Sequence, residues 1–202
     1  MSRLKKTLQL LFAVTAALTF LTGCTRSVTW EEEVSLNTGE TIVVKRSGTY
    51  TYKSEPGNPL DFGYGPDWRS TIEFTYKGKN YTHTDDAGLV LLAIAPDGVP
   101  NLVASAGSYE WQWKHKYYCV TPSYVQFRPD NTGKNWTWPE RIDPWLYSLP
   151  TNLIFGLVPL EASGKKFTPA DRAQENASVT VAFKEYKSIE PTFQHQNCMR
   201  RN

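Results

Sequence analysis

The sequence has few cysteines and no excess of one charge. Of its 202 residues only 3 are Cys, and the 22 Lys and Arg residues are nearly balanced by 20 Asp and Glu residues. A chain in which 21% of residues are charged and the two signs nearly balance does not resemble a disordered polyelectrolyte. It also lacks the basic surface by which nucleic acids are bound, so we expect no nucleic-acid partner. The length and composition are those of one ordinary globular domain.

A long apolar run is also lacking. The most apolar stretch, residues 8–21, is shorter than the roughly 20 residues that cross a bilayer core. Arg3, Lys5 and Lys6 precede it, and a basic segment followed by a short apolar one is typical of a secretory signal. We therefore expect an exported protein.

The end of this signal carries the most specific motif in the chain. Residues Leu21, Thr22, Gly23 and Cys24 resemble the lipobox of bacterial lipoproteins. The resemblance implies cleavage after Gly23, a thioether-linked diacylglycerol on Cys24 and, in many Gram-negative cells, a third acyl chain, typically palmitate. Two or more chains anchor a protein stably in a membrane. An ordinary signal peptide, or an uncleaved short anchor, stays open as the alternative.

The resemblance also implies a location and a domain division. In enteric-type bacteria an Asp after the lipidated cysteine retains a lipoprotein at the inner membrane, and here that residue is Thr25. The periplasmic face of the outer membrane is therefore expected. Residues 1–23 are the signal peptide and residues 24–202 a single periplasmic domain. The signal holds three basic residues and no acidic ones, so the mature domain is close to neutral.

The other two cysteines fit an oxidising compartment. Cys119 and Cys198 are the natural partners of one disulfide, which would tie the C-terminal tail to the middle of the domain. The alternative is a buried Cys119 and a free Cys198 in a frayed tail.

Alternation of apolar and polar residues predicts a mainly β domain, either a sandwich or a curled antiparallel meander sheet, with at most one or two short helices. Strand pairs are predicted around the turns at residues 37–40 and 77–80, a buried strand over residues 89–95, and further strands over residues 101–106, 123–128 and 178–186. Residues 109–119 alternate most regularly and predict a long strand with one aromatic face. A helix is predicted from Thr168, which can cap it, to Glu175, and an irregular loop over residues 139–150.

Exposed aromatic side chains are the first candidates for a binding surface, because large rigid rings stack on sugars or on peptide rings at little entropic cost. The candidates on the predicted strands and turns are Trp111, Trp113, Trp136 and Trp138, and those near a Pro/Gly-rich loop at residues 56–66 are Phe62, Tyr64 and Trp68. The alternative is that they form the core, which alternation alone does not exclude.

Motifs for metal binding or catalysis are weak. His83, His115 and His195 do not show the short ligand spacing of zinc sites. Ser163 and Lys166 match a bare Ser-x-x-Lys spacing without the partner motifs of penicillin-binding enzymes. We assign no catalytic or metal-binding residue and expect no cofactor beyond the lipid on Cys24.

The sequence thus predicts a lipid-anchored, non-enzymatic module that binds a protein, of the immunity, inhibitor or envelope-assembly type. One alternative is a module that binds glycan or peptidoglycan through exposed Trp and Tyr. The other is a hydrolase, which would need polar residues converging in a cleft near His83, Asp85, Asp86 or His115.

Overall fold

A computed structural model describes residues 25–55, 58–106, 109–138 and 141–194. Cys24, Cys198 and His195 lie outside these residues, as does the side chain of Trp68. The described part is mainly β, as predicted. Its strands are β1 (Thr25–Ser35), β2 (Thr41–Glu55), β3 (Asn58–Tyr76), β4 (Lys79–Asp85), β5 (Gly88–Ile94), β6 (Pro100–Ser105), β7 (Tyr124–Pro129), β8 (Trp136–Thr137) and β9 (Lys166–Phe167).

The first sheet is a meander of four antiparallel strands with a short parallel one at its edge, in the order β4-β3-β2-β1-β9. Both predicted hairpins, β1–β2 and β3–β4, are confirmed. Alternate residues of β1 from Val28 to Val34 are buried, and those between them are mostly exposed, as the two-residue period of a strand requires. This sheet therefore has one buried face.

The second sheet has the order β5-β6-β7-β8. The continuous apolar run predicted as a buried strand is β5, and β6 pairs with it. Every residue of β6 is buried, so this sheet is covered on both faces.

The two sheets pack face to face as a sandwich. Their shared core brings Val44 and Ile72 from the first sheet together with Leu92 and Phe127 from the second. The other face of the second sheet is covered by the C-terminal part of the chain, where Leu146 and Ile189 pack on Val103. The predicted irregular loop lies in this cover and contains a short 3-10 helix, Pro144–Leu146.

Three short α-helices occur among the described residues: α1 (Tyr109–Lys114), α2 (Pro169–Glu175) and α3 (Ala177–Ala182). The predicted helix is α2, and it begins with the expected cap, in which Thr168 and Asp171 form a reciprocal capping box. Further 3-10 helices lie at Leu160–Ala162 and Lys184–Tyr186.

Two strand predictions are wrong. Residues 109–119, predicted as a long strand, begin with α1 and continue as turns. Residues 178–186 form α3 and a 3-10 helix. Side-chain contacts decide both segments: Gln112 bonds the Ala106 carbonyl at 2.6 Å, and the Asn176 side chain that precedes α3 bonds Leu153 and Phe155. Such tertiary contacts override the local alternation of apolar and polar residues.

The Pro/Gly-rich segment over residues 56–66 is not a loop through most of its length, because β3 begins at Asn58. It pairs with the end of β2, from Tyr50 opposite Pro66 to Glu55 opposite Asn58. The two strands extend beyond Thr25, the first residue of β1, which pairs with Thr51. We call residues 52–55 of β2 and 58–64 of β3 the arm.

Within the described residues, no helix is both long and apolar enough to cross a membrane.

Candidate functional site: an aromatic-walled cleft

A cleft of about 560 Å³ lies where the end of β4 meets the loop between β7 and β8. Four consecutive residues of β4 form one side. The residues that line the cleft are Thr82, His83, Thr84, Asp85, Phe127, Lys134, Asn135, Trp136 and Trp138. It therefore combines two tryptophan rings with hydroxyl, amide, imidazole and charged groups.

The loop between β7 and β8 is shaped by Asp130. Its Oδ1 accepts hydrogen bonds from the backbone of Thr132 at 2.9 Å and of Gly133 at 3.1 Å, and its Oδ2 accepts one from the Asn135 side chain at 2.8 Å. The hydrogen bonds from Thr132 and Asn135 hold the pKa of the Asp130 carboxyl well below its ordinary value. The loop thus presents Lys134 and Asn135 to the cleft from a fixed turn.

The same loop is tied to the edge of β4. The Thr82 amide donates to the Gly133 carbonyl at 3.1 Å, and the Trp136 indole Nε1 donates to the Thr82 carbonyl at 2.7 Å. These two bonds fix Trp136 as one wall of the cleft.

The second wall, Trp138, rests on other rings. Its centroid lies 6.2 Å from that of Phe127, 6.0 Å from Trp111 and 5.1 Å from His115. It remains 39% exposed. A ring that is supported from behind and open in front can stack on a ligand without being ordered by it.

His83 lies in the floor of the cleft. It is 7% exposed, and its ring lies 4.4 Å from Phe127 and 5.2 Å from Trp136. Burial lowers the pKa of His83 to about 4, against a smaller opposing effect of Asp85, so the imidazole is neutral at neutral pH. Its Nε2 is buried without a hydrogen-bond partner among the described residues. A ring nitrogen of this kind can form a hydrogen bond with a polar group of a ligand.

Asp85 and Asp86 are held by α1. Asp85 Oδ1 accepts hydrogen bonds from the Trp111 indole at 2.8 Å and from the Ala87 amide at 2.7 Å. Asp86 lies 2.8 Å from Lys114 and 3.9 Å from His115. Burial opposes ionisation of Asp86, but the hydrogen bond and charge of Lys114 outweigh it and lower the pKa. Both carboxylates thus already bind structural partners.

The aromatic residues singled out in the sequence whose side chains the structure describes lie in four places. Trp136 and Trp138 belong to the cleft. Trp111 is 1% exposed and part of the core, whereas Trp113 is 64% exposed and packs edge-on against Tyr118. Phe62 and Tyr64 lie on the arm, where Tyr52, which the sequence analysis missed, stacks on Phe62 with centroids 5.8 Å apart.

The sequence analysis also missed Phe127, Lys134 and Asn135. The alternating pattern of β7 could identify Phe127 as a core residue but not as a cleft floor. Asn135 follows a predicted turn, and only the folded loop shows that its side chain closes that turn onto Asp130.

Both residues of the Ser-x-x-Lys pair make structural contacts with β1. Ser163 Oγ accepts a hydrogen bond from the Thr29 amide at 3.2 Å, and Lys166 pairs with Glu33 at 2.8 Å. Among the described residues no group of three or more His, Cys, Asp or Glu is arranged to hold a metal ion. Cys119 is disulfide-bonded; Cys198, the other half of the predicted bridge, lies outside the described residues.

Comparisons with protein-family models, curated proteins and solved structures gave no match.

Proposed function

We propose that this chain is a lipid-anchored, non-enzymatic binding module on the periplasmic face of the outer membrane, and that its cleft binds a saccharide. The observation that carries the ligand class is the juxtaposition of Trp136 and Trp138 with His83 in one cleft, where the described residues offer the His83 Nε2 no hydrogen-bond partner. The anchor rests on the lipobox-like residues that end at Cys24.

Sugar rings have an apolar face of C–H groups and a rim of hydroxyls. An indole ring covers the first, while amide, carboxylate and imidazole groups bond the second. The cleft supplies both kinds of surface, since Trp138 is exposed at the wall and Asn135, Asp85 and His83 surround it. A volume of about 560 Å³ falls in the range typical of small-ligand sites.

The polar groups of the cleft favour binding over catalysis. A general base needs a pKa near the working pH, and the pKa of His83 is lowered to about 4 by burial. Asp85 is held by Trp111 and Ala87, and the Thr84 hydroxyl lies 2.8 Å from that of Thr71. Groups held in this way give a rigid recognition surface.

The test is a calorimetric titration of the mature protein with N-acetylglucosamine oligosaccharides and with peptidoglycan fragments. Trp138→Ala is expected to weaken binding about fivefold, because one ring stacked on a ligand contributes on the order of 1 kcal/mol. Trp113→Ala is the matched control, since Trp113 is also exposed but lies outside the cleft. Absence of binding by the wild type, or equal losses in both variants, would reject the saccharide proposal.

A second candidate is a protein ligand, favoured by the position of β4 as an edge strand of the first sheet. The Thr82 amide and carbonyl both point outward to Gly133 and Trp136, so those of Thr84, two residues on, point outward beside the cleft. An extended segment of a partner could pair there. A photocrosslinker at Thr84 should then capture one envelope protein in stoichiometric amount, whereas one at Thr75, exposed on β3, should not.

A further inference from the structure

The arm combines exposed aromatic side chains with a position at the N-terminal end of the described chain. Tyr52 is 47% exposed and Phe62 53% exposed. Tyr52 also contacts Tyr64 edge-on, with centroids 5.2 Å apart, and the Arg26 guanidinium lies 4.3 Å from the Tyr64 centroid. These rings form one aromatic cluster with a cation at its base.

The direction of the strands places this cluster beside the anchor. Cys24 is joined directly to Thr25, so its Cα lies about 3.8 Å from that of Thr25. Thr25 pairs with Thr51, and β2 continues past that pair to Glu55. Four further strand residues span about 13 Å. The arm therefore projects from the body of the domain at the point where the lipidated residue is attached.

We propose that the arm is a second membrane contact, which inserts its aromatic side chains among the lipid headgroups next to the acylated Cys24. This inference rests on the lipid anchor of the proposed function. Each polar layer of a bilayer is only about 5–8 Å thick. An arm of about 13 Å whose base lies one residue from the acyl chains reaches that layer.

The chemistry of the arm matches the headgroup layer and not the acyl core. Tyr and Trp are enriched at membrane interfaces, where the ring is buried and the polar atom stays hydrated. Arg26 at the base suits lipid phosphates. Two contacts, the acyl chains and the arm, would fix the orientation of the sandwich on the membrane, as one flexible anchor cannot.

The test uses the mature lipidated protein in vesicles of phosphatidylethanolamine and phosphatidylglycerol. A nitrobenzoxadiazole label is attached at Phe62→Cys and, as the matched control, at Val43→Cys. Val43 is 45% exposed on the same hairpin, but it pairs with Glu33 toward the opposite end of β1. Both side chains are exposed, so the substitutions leave the core unchanged.

The label at position 62 should show blue-shifted emission and lose most of its intensity when lipids carrying a nitroxide quencher on the headgroup are included. The label at position 43 should keep the emission of a label in water. Intact mass of the same samples reports whether Cys24 is acylated.

Each alternative outcome has a distinct meaning. Water-like emission from both labels on acylated protein overturns the arm contact and leaves the anchor intact. A Cys24 without acyl chains overturns the anchor, and the arm proposal with it. Shielding of position 62 in whole envelopes but not in vesicles would identify a protein as the occupant and overturn the lipid assignment.

Discussion

The carboxylate of Glu32 and the guanidinium of Arg46 lie 3.1 Å apart, and both side chains are fully buried. Glu32 also accepts hydrogen bonds from the Trp30 indole at 2.7 Å and the Ile154 amide at 2.8 Å, while Arg46 donates to the Ile154 carbonyl at 2.6 Å. The pair thus connects the buried face of β1 and β2 to the segment around Ile154. Two other nitrogens of Arg46, Nε and Nη2, have no hydrogen-bond partner among the described residues.

Removing one member of this pair should be strongly destabilising, because it leaves the other charge buried and unpaired. We expect Glu32→Ala to lower the free energy of unfolding by about 3–5 kcal/mol. The double variant Glu32→Leu/Arg46→Met should recover part of this loss. Urea denaturation of the single and double variants measures both effects.

A partly exposed ion pair between β1 and β9 is the control. Lys166 and Glu33 lie 2.8 Å apart with half and one third of their side chains exposed, so Lys166→Ala should cost far less stability than Glu32→Ala. Equal costs for the two pairs would contradict the role of burial.

His83 should make the stability of the domain fall in acid. Burial lowers its pKa to about 4 in the folded state, against about 6.5 in an unfolded chain. Between these values the unfolded state binds more protons, so the free energy of unfolding falls as the pH drops from 6.5 to 4. The loss attributable to this group is up to about 3 kcal/mol, and unfolding midpoints measured across that range report it.

The contribution of His83 is isolated by comparison with His83→Gln, which cannot take up a proton in this range. The variant should show a shallower decline of stability between pH 6.5 and 4 than the wild type. Parallel profiles would mean that other groups account for the acid sensitivity.

Alternation was sufficient to predict the two hairpins, because the two-residue period of a strand separates its two faces. A continuous apolar run predicted the buried β5, and the sandwich was one of the two architectures that the sequence left open. Alternation failed at residues 109–119, where Trp111 is buried and Trp113 exposed although both lie on the same face of the predicted strand. The Trp111 indole bonds Asp85, a residue far away in the sequence. A contact of this kind decides the local structure and leaves no periodic signal.

The cleft was predictable only in part. Trp136 and Trp138 were recognised by residue type, and a polar cleft near His83 and Asp85 was one of the alternatives considered. These residues come together because the Thr82 amide of β4 bonds the Gly133 carbonyl of the loop between β7 and β8. No local sequence pattern indicates this contact. The arm was missed because its local pattern is misleading: prolines and glycines are typical of loops, so this segment was predicted as a loop and not as paired strands.

Two asparagines protect the open edge of β5. The Asn152 side chain accepts a hydrogen bond from the Leu92 amide at 2.8 Å and donates to the Leu92 carbonyl at 2.8 Å. Asn37 makes the same pair of bonds with Ile94, at 2.7 and 2.9 Å. Each asparagine side chain thus bonds the backbone N–H and C=O of one β5 residue, groups that would otherwise be available to pair with another strand.

We expect Asn152→Ala to destabilise the domain by about 1–3 kcal/mol, because the Leu92 backbone groups are buried and would be left unpaired. Asn37 is exposed, so in Asn37→Ala water can replace the amide and the cost should be smaller. Chemical denaturation tests the order of the two losses. A larger loss for Asn37→Ala would show that burial of Leu92 is not the deciding factor.

The glycine at the cleft loop should be harder to replace than an equivalent glycine elsewhere. Gly133 and Gly39 both have positive φ, +76° and +87°, and alanine in that conformation costs about 1–2 kcal/mol. A Cβ on Gly133 would also lie 2.6 Å from the Asn80 carbonyl oxygen, whereas one on Gly39 meets nothing within 4 Å. Because the Asn80 oxygen belongs to the backbone of β4, the loop must move away from that strand.

Gly133→Ala should therefore lose at least about 1 kcal/mol more stability than Gly39→Ala. It should also weaken saccharide binding, since the displaced loop carries Trp136. Thermal unfolding and calorimetry of the two variants measure these effects, and equal behaviour in both assays would show that the contact with β4 does not shape the cleft.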